Sequence, residues 1–275
     1  MIVDAQQHFW RYNPERHGWI TDDMAAIRRD FLPKELEQIY RHNDIDGCVS
    51  VQVDQTEADT EYLLAFSRKY DFIRGIVGWV DLQAPDIKER LDYFSTEKKV
   101  KGFRHIVQGE SDPNFLSGQD FCRGIGYLQS YNFTYDILVR HHQLVQVEPF
   151  VAKFPNQKFI IDHIAKPSIA TGEIGQWEKH MRAIANHENV YCKLSGMVTE
   201  ADYNNWTYDQ IAPYIEVVLD AFGPSRIAYG SDWPVCLVAA TYEEQFGVVN
   251  TAIEKLSAGE KKKILGENAI RFYDL

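Results

Sequence analysis

The chain has 275 residues, 45% hydrophobic and 25% charged, the make-up of an ordinary folded globular protein. Its 40 acidic residues outnumber 29 basic ones for a formal net charge of −11, which would repel both a nucleic-acid backbone and an anionic membrane. No run of about 18 apolar residues occurs and no basic, apolar leader precedes the first strand-like run, so neither a transmembrane helix nor a signal peptide is expected, and the cytoplasm is the expected compartment.

Apolar runs alternate with helical patterns along the whole chain. Ile2 and Val3 open a strand that ends in Asp4-Ala-Gln6-Gln7-His8. Residues 31–40 are amphipathic, with Leu36, Ile39 and Tyr40 on one face. Strands follow at 47–53, 73–80 and 100–105, separated by helical spacing over 57–70 and 85–94. A fifth strand covers 133–139, with a helix from about 143 to 154, and the last three cover 159–162, 190–194 and 227–229. Near-continuous apolar strands suit a parallel sheet buried on both faces. Eight strands with intervening helices, in a length close to the ~250 residues typical of the fold, predict a single (β/α)8 barrel domain over 1–275. A doubly wound open sheet shares the alternation, but the first strand lacks the G-x-G-x-x-G turn of a dinucleotide site. Cys48, Cys122, Cys192 and Cys236 form no CxxC and read as free thiols.

A barrel gathers the C-terminal ends of its strands into one bowl, where active sites sit. His8, His163 and Asp232 each follow an apolar strand, so all three are expected to face one substrate. Arg104 and Lys193 lie in strands, where a cation needs a partner, and Trp10, Trp79 and Trp233 lie near strand ends, where a flat ring can pack against a sugar's C–H face. Arg104 and His105 are adjacent, so only one of them faces the interior. Blander readings exist for each. Asp232 can cap a helix, His163 can be a satisfied core histidine, Lys166 can be a surface residue, and Trp79 can be core. Asp162 reads as a supporting residue, and Asn268 as a structural one that closes the last turn of the barrel.

Six segments, Asp4 to Trp10, Lys101 to His105, Asp162 to Pro167, Asn189 to Gly196, Gly230 to Val235 and Gly266 to Ala269, resemble in series the amidohydrolase superfamily. Within it the chain is similar to the amidohydrolase 2 group of sugar-lactone hydrolases, the L-fuconolactonases and L-rhamnonolactonases, and more distantly to 2-pyrone-4,6-dicarboxylate lactonase. The resemblance implies a (β/α)8 barrel that hydrolyses a cyclic ester, with a small sugar lactone as its partner. A homo-oligomer is compatible with it. Members of the group read His-Gln-His after the first strand, whereas this chain has Gln6 in the first histidine position. His8, His163 and Asp232 then make at most a three-ligand site for one weakly held divalent metal such as zinc, and the expectation is turnover with no cofactor required.

The chemistry expected is water attack on the lactone carbonyl. Asp232 is the base, its carboxyl raised by the shelter of Trp233 and Tyr229, and His8 and His163, joined by the Gln6 amide, polarise the carbonyl. Gln6, Arg104, Lys193, Trp10 and Trp233 are the expected substrate contacts. Two other readings stand beside this one: a metal-dependent decarboxylase of an aromatic acid, and a catalytically silent barrel that binds a ligand.

Overall fold

A computed structural model describes residues 1–275. Eight strands hydrogen-bond in the order of the chain, each parallel to the next. They are β1 (Val3–Gln7), β2 (Gly47–Val51), β3 (Ile73–Gly78), β4 (Val100–His105), β5 (Thr134–Ile137), β6 (Phe159–Ile161), β7 (Val190–Leu194) and β8 (Ile227–Tyr229). The barrel closes where β8 returns to β1: the Asp232 amide donates to the Gln6 carbonyl at 2.8 Å, and the His8 amide donates to the Trp233 carbonyl at 2.7 Å. Asp4 reinforces the seam by accepting from the Ser231 amide at 2.8 Å and the Tyr40 hydroxyl at 2.9 Å. This is the (β/α)8 barrel that the alternation predicts.

Helices α1 (Pro33–His42), α2 (Glu57–Ser67), α3 (Ile87–Ser95), α4 (Gln119–Leu128), α5 (Leu144–Ala152), α6 (Gly175–Ala185), α7 (Tyr208–Phe222) and α8 (Tyr242–Ala252) form the outer ring. Proline at the first position of α1 and the Thr241–Glu244 capping box of α8 mark helix starts that the sequence carries locally. The strands' outward side chains and the helices' inner faces make one large apolar core, while Val3, Ala5, Val49, Val51, Val77, Ile160 and Ala228 fill the barrel interior. Two short helices follow, α9 (Ala258–Lys262) and α10 (Asn268–Tyr273). Asn268 donates to the carbonyls of Pro224 and Ile227, and Phe272 and Tyr273 pack against the interior residues. The bottom of the barrel is thereby plugged, and the interior is reached from the opposite end. No helix is long and apolar enough to cross a membrane.

Candidate active site

At the C-terminal end of the strands lies a cavity of about 440 Å³. His8, Arg104, His163 and Asp232 line it, having arrived from β1, β4, β6 and β8. His8 Nε2 lies 3.4 Å from Asp232 Oδ1, and His163 Nε2 lies 3.8 Å from the same oxygen. Residues more than 200 positions apart in sequence thus meet because parallel strands deliver their ends to one rim.

Local backbone geometry aims two of these side chains. His163, Ile164, Ala165 and Lys166 all have positive φ, between 46° and 60°, and Asp232 has φ 57°. Non-glycine residues there cost roughly 1–2 kcal/mol each and persist only when surrounding contacts dictate them. Those contacts are present: Trp177 Nε1 donates to the Ile164 carbonyl at 2.8 Å, and the His141 ring donates to the Lys166 carbonyl at 3.0 Å. Gly196, at φ 64°, packs beneath His163, where a Cβ would lie 2.7 Å from Nδ1. Gly230 leaves similar room for Gln6, whose Cβ would be 2.5 Å from an added methyl.

Below the cavity floor runs a buried polar network. Lys193 Nζ donates to Asp136 Oδ2 at 2.5 Å, lies 2.9 Å from Asp162 Oδ1, and donates to Gln6 Oε1 at 2.6 Å. Arg104 donates to Asp162 Oδ2 at 2.9 Å and to the Gln52 carbonyl at 2.5 Å. Tyr273, from α10, donates to Asp136 Oδ2 at 2.8 Å. Burial alone would raise the carboxyl of Asp162, but Lys193 and Arg104 hold it far below the usual range. Asp136, with Lys193 as its single cation and Asp162 repelling it, is pushed by burial up to about 6.

The expected base is well placed but differently tuned. Burial does push the Asp232 carboxyl up, yet His163 and His8 beside it more than offset this, and it lies below the ordinary carboxylate value. The expectation of a raised Asp232 is therefore corrected: shelter by apolar rings is outweighed by two imidazoles. Burial lowers His163 to about 4, so its ring is neutral near pH 7. His163 Nδ1 is paired with Ser195 Oγ at 2.9 Å, and Nε2 faces the cavity.

His8 is bonded on both sides. Its Nδ1 donates to the Val51 carbonyl at 2.8 Å, and the Gln6 amide nitrogen lies 3.1 Å from its Nε2. With Nδ1 donating to Val51 and Nε2 accepting from Gln6, the ring turns no free N–H toward a substrate carbonyl, which corrects its expected role as a polariser, and Gln6 lies buried beneath the floor. For a divalent cation the donor set falls short. With His8 Nε2 accepting from Gln6, only His163 Nε2 and Asp232 remain, and no three His, Cys, Asp or Glu side chains are arranged to hold a metal. The residues as arranged do not fit the ion.

Other expected contacts divide. Arg104 and Trp10 line the cavity, although the Trp10 indole N–H is taken by the Arg29 carbonyl at 2.9 Å. Gln6 and Lys193 lie wholly buried in the network under the floor and do not reach the cavity. Trp233 is wholly buried, edge-on to Phe31 and Phe9, and so is a core residue rather than a sugar platform. His105 points outward, between the Trp79 indole and Glu110, which settles the choice between it and Arg104. Residues unnamed in the sequence reading complete the walls: Trp19 and Met24 from the segment after β1, Arg140 after β5, and Glu200 and Tyr203 after β7. Lys166 reaches the cavity and pairs with Glu200 at 3.4 Å, and burial raises the Glu200 carboxyl against that pull. Trp19 is 40% exposed at the cavity, one of four large hydrophobic residues so open.

The amidohydrolase family model matches residues 3–275. The chain belongs to the amidohydrolase family. Among characterised relatives, this amidohydrolase is 37% identical to an L-fucono-1,5-lactonase of Burkholderia multivorans over 99% of its own length and 96% of the relative's. It is 33% identical to an L-fucono-1,5-lactonase of Burkholderia ambifaria, over 98% and 94% of the two chains. A crystal structure of an amidohydrolase from Burkholderia multivorans with bound zinc superimposes with a TM-score of 0.97 at 37% identity, covering 100% of this chain and 99% of that one.

Proposed function

We propose that this amidohydrolase opens a sugar-derived lactone of the L-fuconolactone or L-rhamnonolactone type to the aldonic acid, with no metal required. The observation that carries the reading is the meeting of Asp232 and His163, 3.8 Å apart, in the lining of one cavity. Its lining includes the apolar Trp10, Trp19, Met24 and Val235 and the charged Arg104, Arg140, Lys166 and Glu200. Near-full-length similarity to L-fucono-1,5-lactonases supports the substrate class.

A lactone is an activated ester, so water with one base and one donor suffices. Asp232, ionised at neutral pH, takes a proton from water as its oxygen attacks the carbonyl carbon. Nδ1 of His163 lies 2.9 Å from Ser195 Oγ; with the hydroxyl as donor in this scheme, the neutral ring carries its N–H at Nε2 to meet the oxyanion. Collapse of the intermediate breaks the bond to the ring oxygen, which takes the proton back from Asp232. The aldonic acid that forms loses its proton to solvent, and Arg104, Arg140 and Lys166 in the cavity lining are the cations at hand for the new carboxylate. His8 packs beside Asp232, with Nε2 3.4 Å from Oδ1, and takes no proton-transfer role in this scheme. Neither the decarboxylase nor the silent-barrel reading gains an observation of its own from the site.

The test is hydrolysis of a panel of aldonolactones, followed by acid release, with chelator-treated protein against an Asp232→Asn blank. Hydrolysis of a six-carbon deoxy-sugar lactone by the treated protein is the expected result. No turnover of any lactone, with or without added zinc or manganese, overturns the reading.

A further inference from the structure

Gln6 is wholly buried at the centre of the site and does not reach the cavity, yet both ends of its amide are fixed. An ammonium only donates, so the Gln6 atom 2.6 Å from Lys193 Nζ is the carbonyl oxygen. The amide nitrogen is thereby turned toward His8, 3.1 Å from Nε2. That nitrogen also only donates, so Nε2 accepts. On the far side of the ring the Val51 carbonyl only accepts, so Nδ1 carries the proton. The order is set from below, because Asp136 and Asp162 hold the ammonium in place. At 3.4 Å the Asp232 carboxylate is a more distant neighbour of Nε2 than the Gln6 amide is.

We propose that Gln6, oriented by Lys193, is a positioning residue that locks His8 in its Nδ1–H tautomer and occupies the nitrogen a divalent cation would need, so that the buried ammonium is the resident cation of the site. The lock has two consequences. His8 is held as a fixed acceptor rather than a donor that can turn toward substrate. A zinc ion entering the site must first displace an amide whose other end is tied to a buried, doubly paired ammonium. The inference concerns proton placement and ion affinity, so it stands or falls apart from the lactone chemistry.

The experiment is nitrogen NMR on the full chain carrying labelled histidine, with His8→Asn to assign the signals, together with zinc affinity measured by competition with a chromogenic chelator. The wild-type spectrum is expected to show His8 protonated at Nδ1 and unprotonated at Nε2. Gln6→Glu keeps an acceptor for Lys193 and removes the N–H, so His8 Nε2 is expected to gain a proton. Gln6→His replaces the amide by an imidazole ligand and is expected to bind zinc at least about tenfold more tightly than wild type, because the donor set gains a direct ligand. Three results each overturn the proposal: wild-type His8 protonated at Nε2, a tautomer unchanged in Gln6→Glu, or equal zinc affinity in wild type and Gln6→His. Should Gln6→His not fold, the wild-type spectrum and the isosteric Gln6→Glu decide alone.

Discussion

Asp232 shows how a residue's neighbours, rather than its burial, set its chemistry. Its carboxyl is held below the ordinary value because imidazoles face it, and the sign of the pH dependence follows. The active form is the ionised one, so activity is retained above the lowered value and lost only as pH falls through it. The profile of kcat/KM is expected to stay flat from neutral pH down to about 5 and then to fall as His163 charges around 4. A midpoint near 6 would show instead a carboxyl raised by shelter. Asp232→Asn is expected to lower kcat by at least about 10²-fold with an unchanged melting temperature, since base catalysis contributes about 10²–10⁴. Trp19 offers a second test. Its half-open ring stands edge-on to Trp10 at 5.9 Å and keeps a free face toward the cavity mouth. Trp19→Ala is expected to raise KM about tenfold and leave kcat within about twofold, the pattern of lost uniform binding worth about 1–1.5 kcal/mol. An effect confined to kcat would place Trp19 elsewhere in the mechanism.

At the scale of elements, the segment after β6 carries the largest local conflict. Four successive residues in the left-handed region are held by Trp177 and His141, and Gly196 in the β7 loop leaves the space into which His163 turns. Nothing in the composition of His163-Ile-Ala-Lys166 announces this conformation, since none of the four is a glycine. Gly196→Ala adds a methyl at positive φ and against the imidazole. It is expected to cost about 1–2 kcal/mol of stability and at least tenfold in kcat, through displacement of His163. Thermal melts and turnover on the same preparation separate the two effects; full activity would mean that His163 has no part in the reaction. Element starts were more legible: three strands have the ends read from the sequence, at 100–105, 190–194 and 227–229. Helices α4, α6, α7 and α8 were not placed by that reading; in α4, Gly124 and Gly126 weaken a helical signal that packing then overrides.

Across the whole molecule, the net charge of −11 misleads about the cavity, whose lining includes the cations Arg104, Arg140 and Lys166. Net charge speaks of the long-range field, while the pocket is set by which loops meet. The closure seam carries its own pH signature. Asp4, buried at the β8–β1 junction, is pushed by burial up to about 6 against the bonds it accepts from Ser231 and Gln6. A carboxyl whose folded value exceeds its unfolded one contributes stability that is full below about 4 and lost as pH rises through about 6. Asp4→Asn removes this term while its amide still accepts from the Ser231 N–H. Its melting temperature is expected to gain on wild type as pH rises from about 4.5 to 7.5, by the equivalent of about 2 kcal/mol. Parallel melting curves across that range would show that Asp4 does not titrate there.

Hydrophobic periodicity determined the eight strands, because burial on both faces of a parallel sheet leaves its mark on every strand, while strand count, the missing G-x-G-x-x-G turn and the family resemblance pointed to a closed barrel rather than an open sheet. The positions of His8, His163, Asp232 and Arg104 were legible for the same reason: a polar residue in or after an apolar strand has only the barrel's interior or its rim to occupy. The tertiary structure alone decided which side chains share an environment. Lys193 and Gln6 read as substrate contacts until Asp136 and Asp162 were found beneath them, and Trp233 read as a platform until Phe9 and Phe31 enclosed it. Hydrogen-bond donors, tautomers and pKa values depend on distances of a few ångströms between residues far apart in the chain, and no local pattern records those distances.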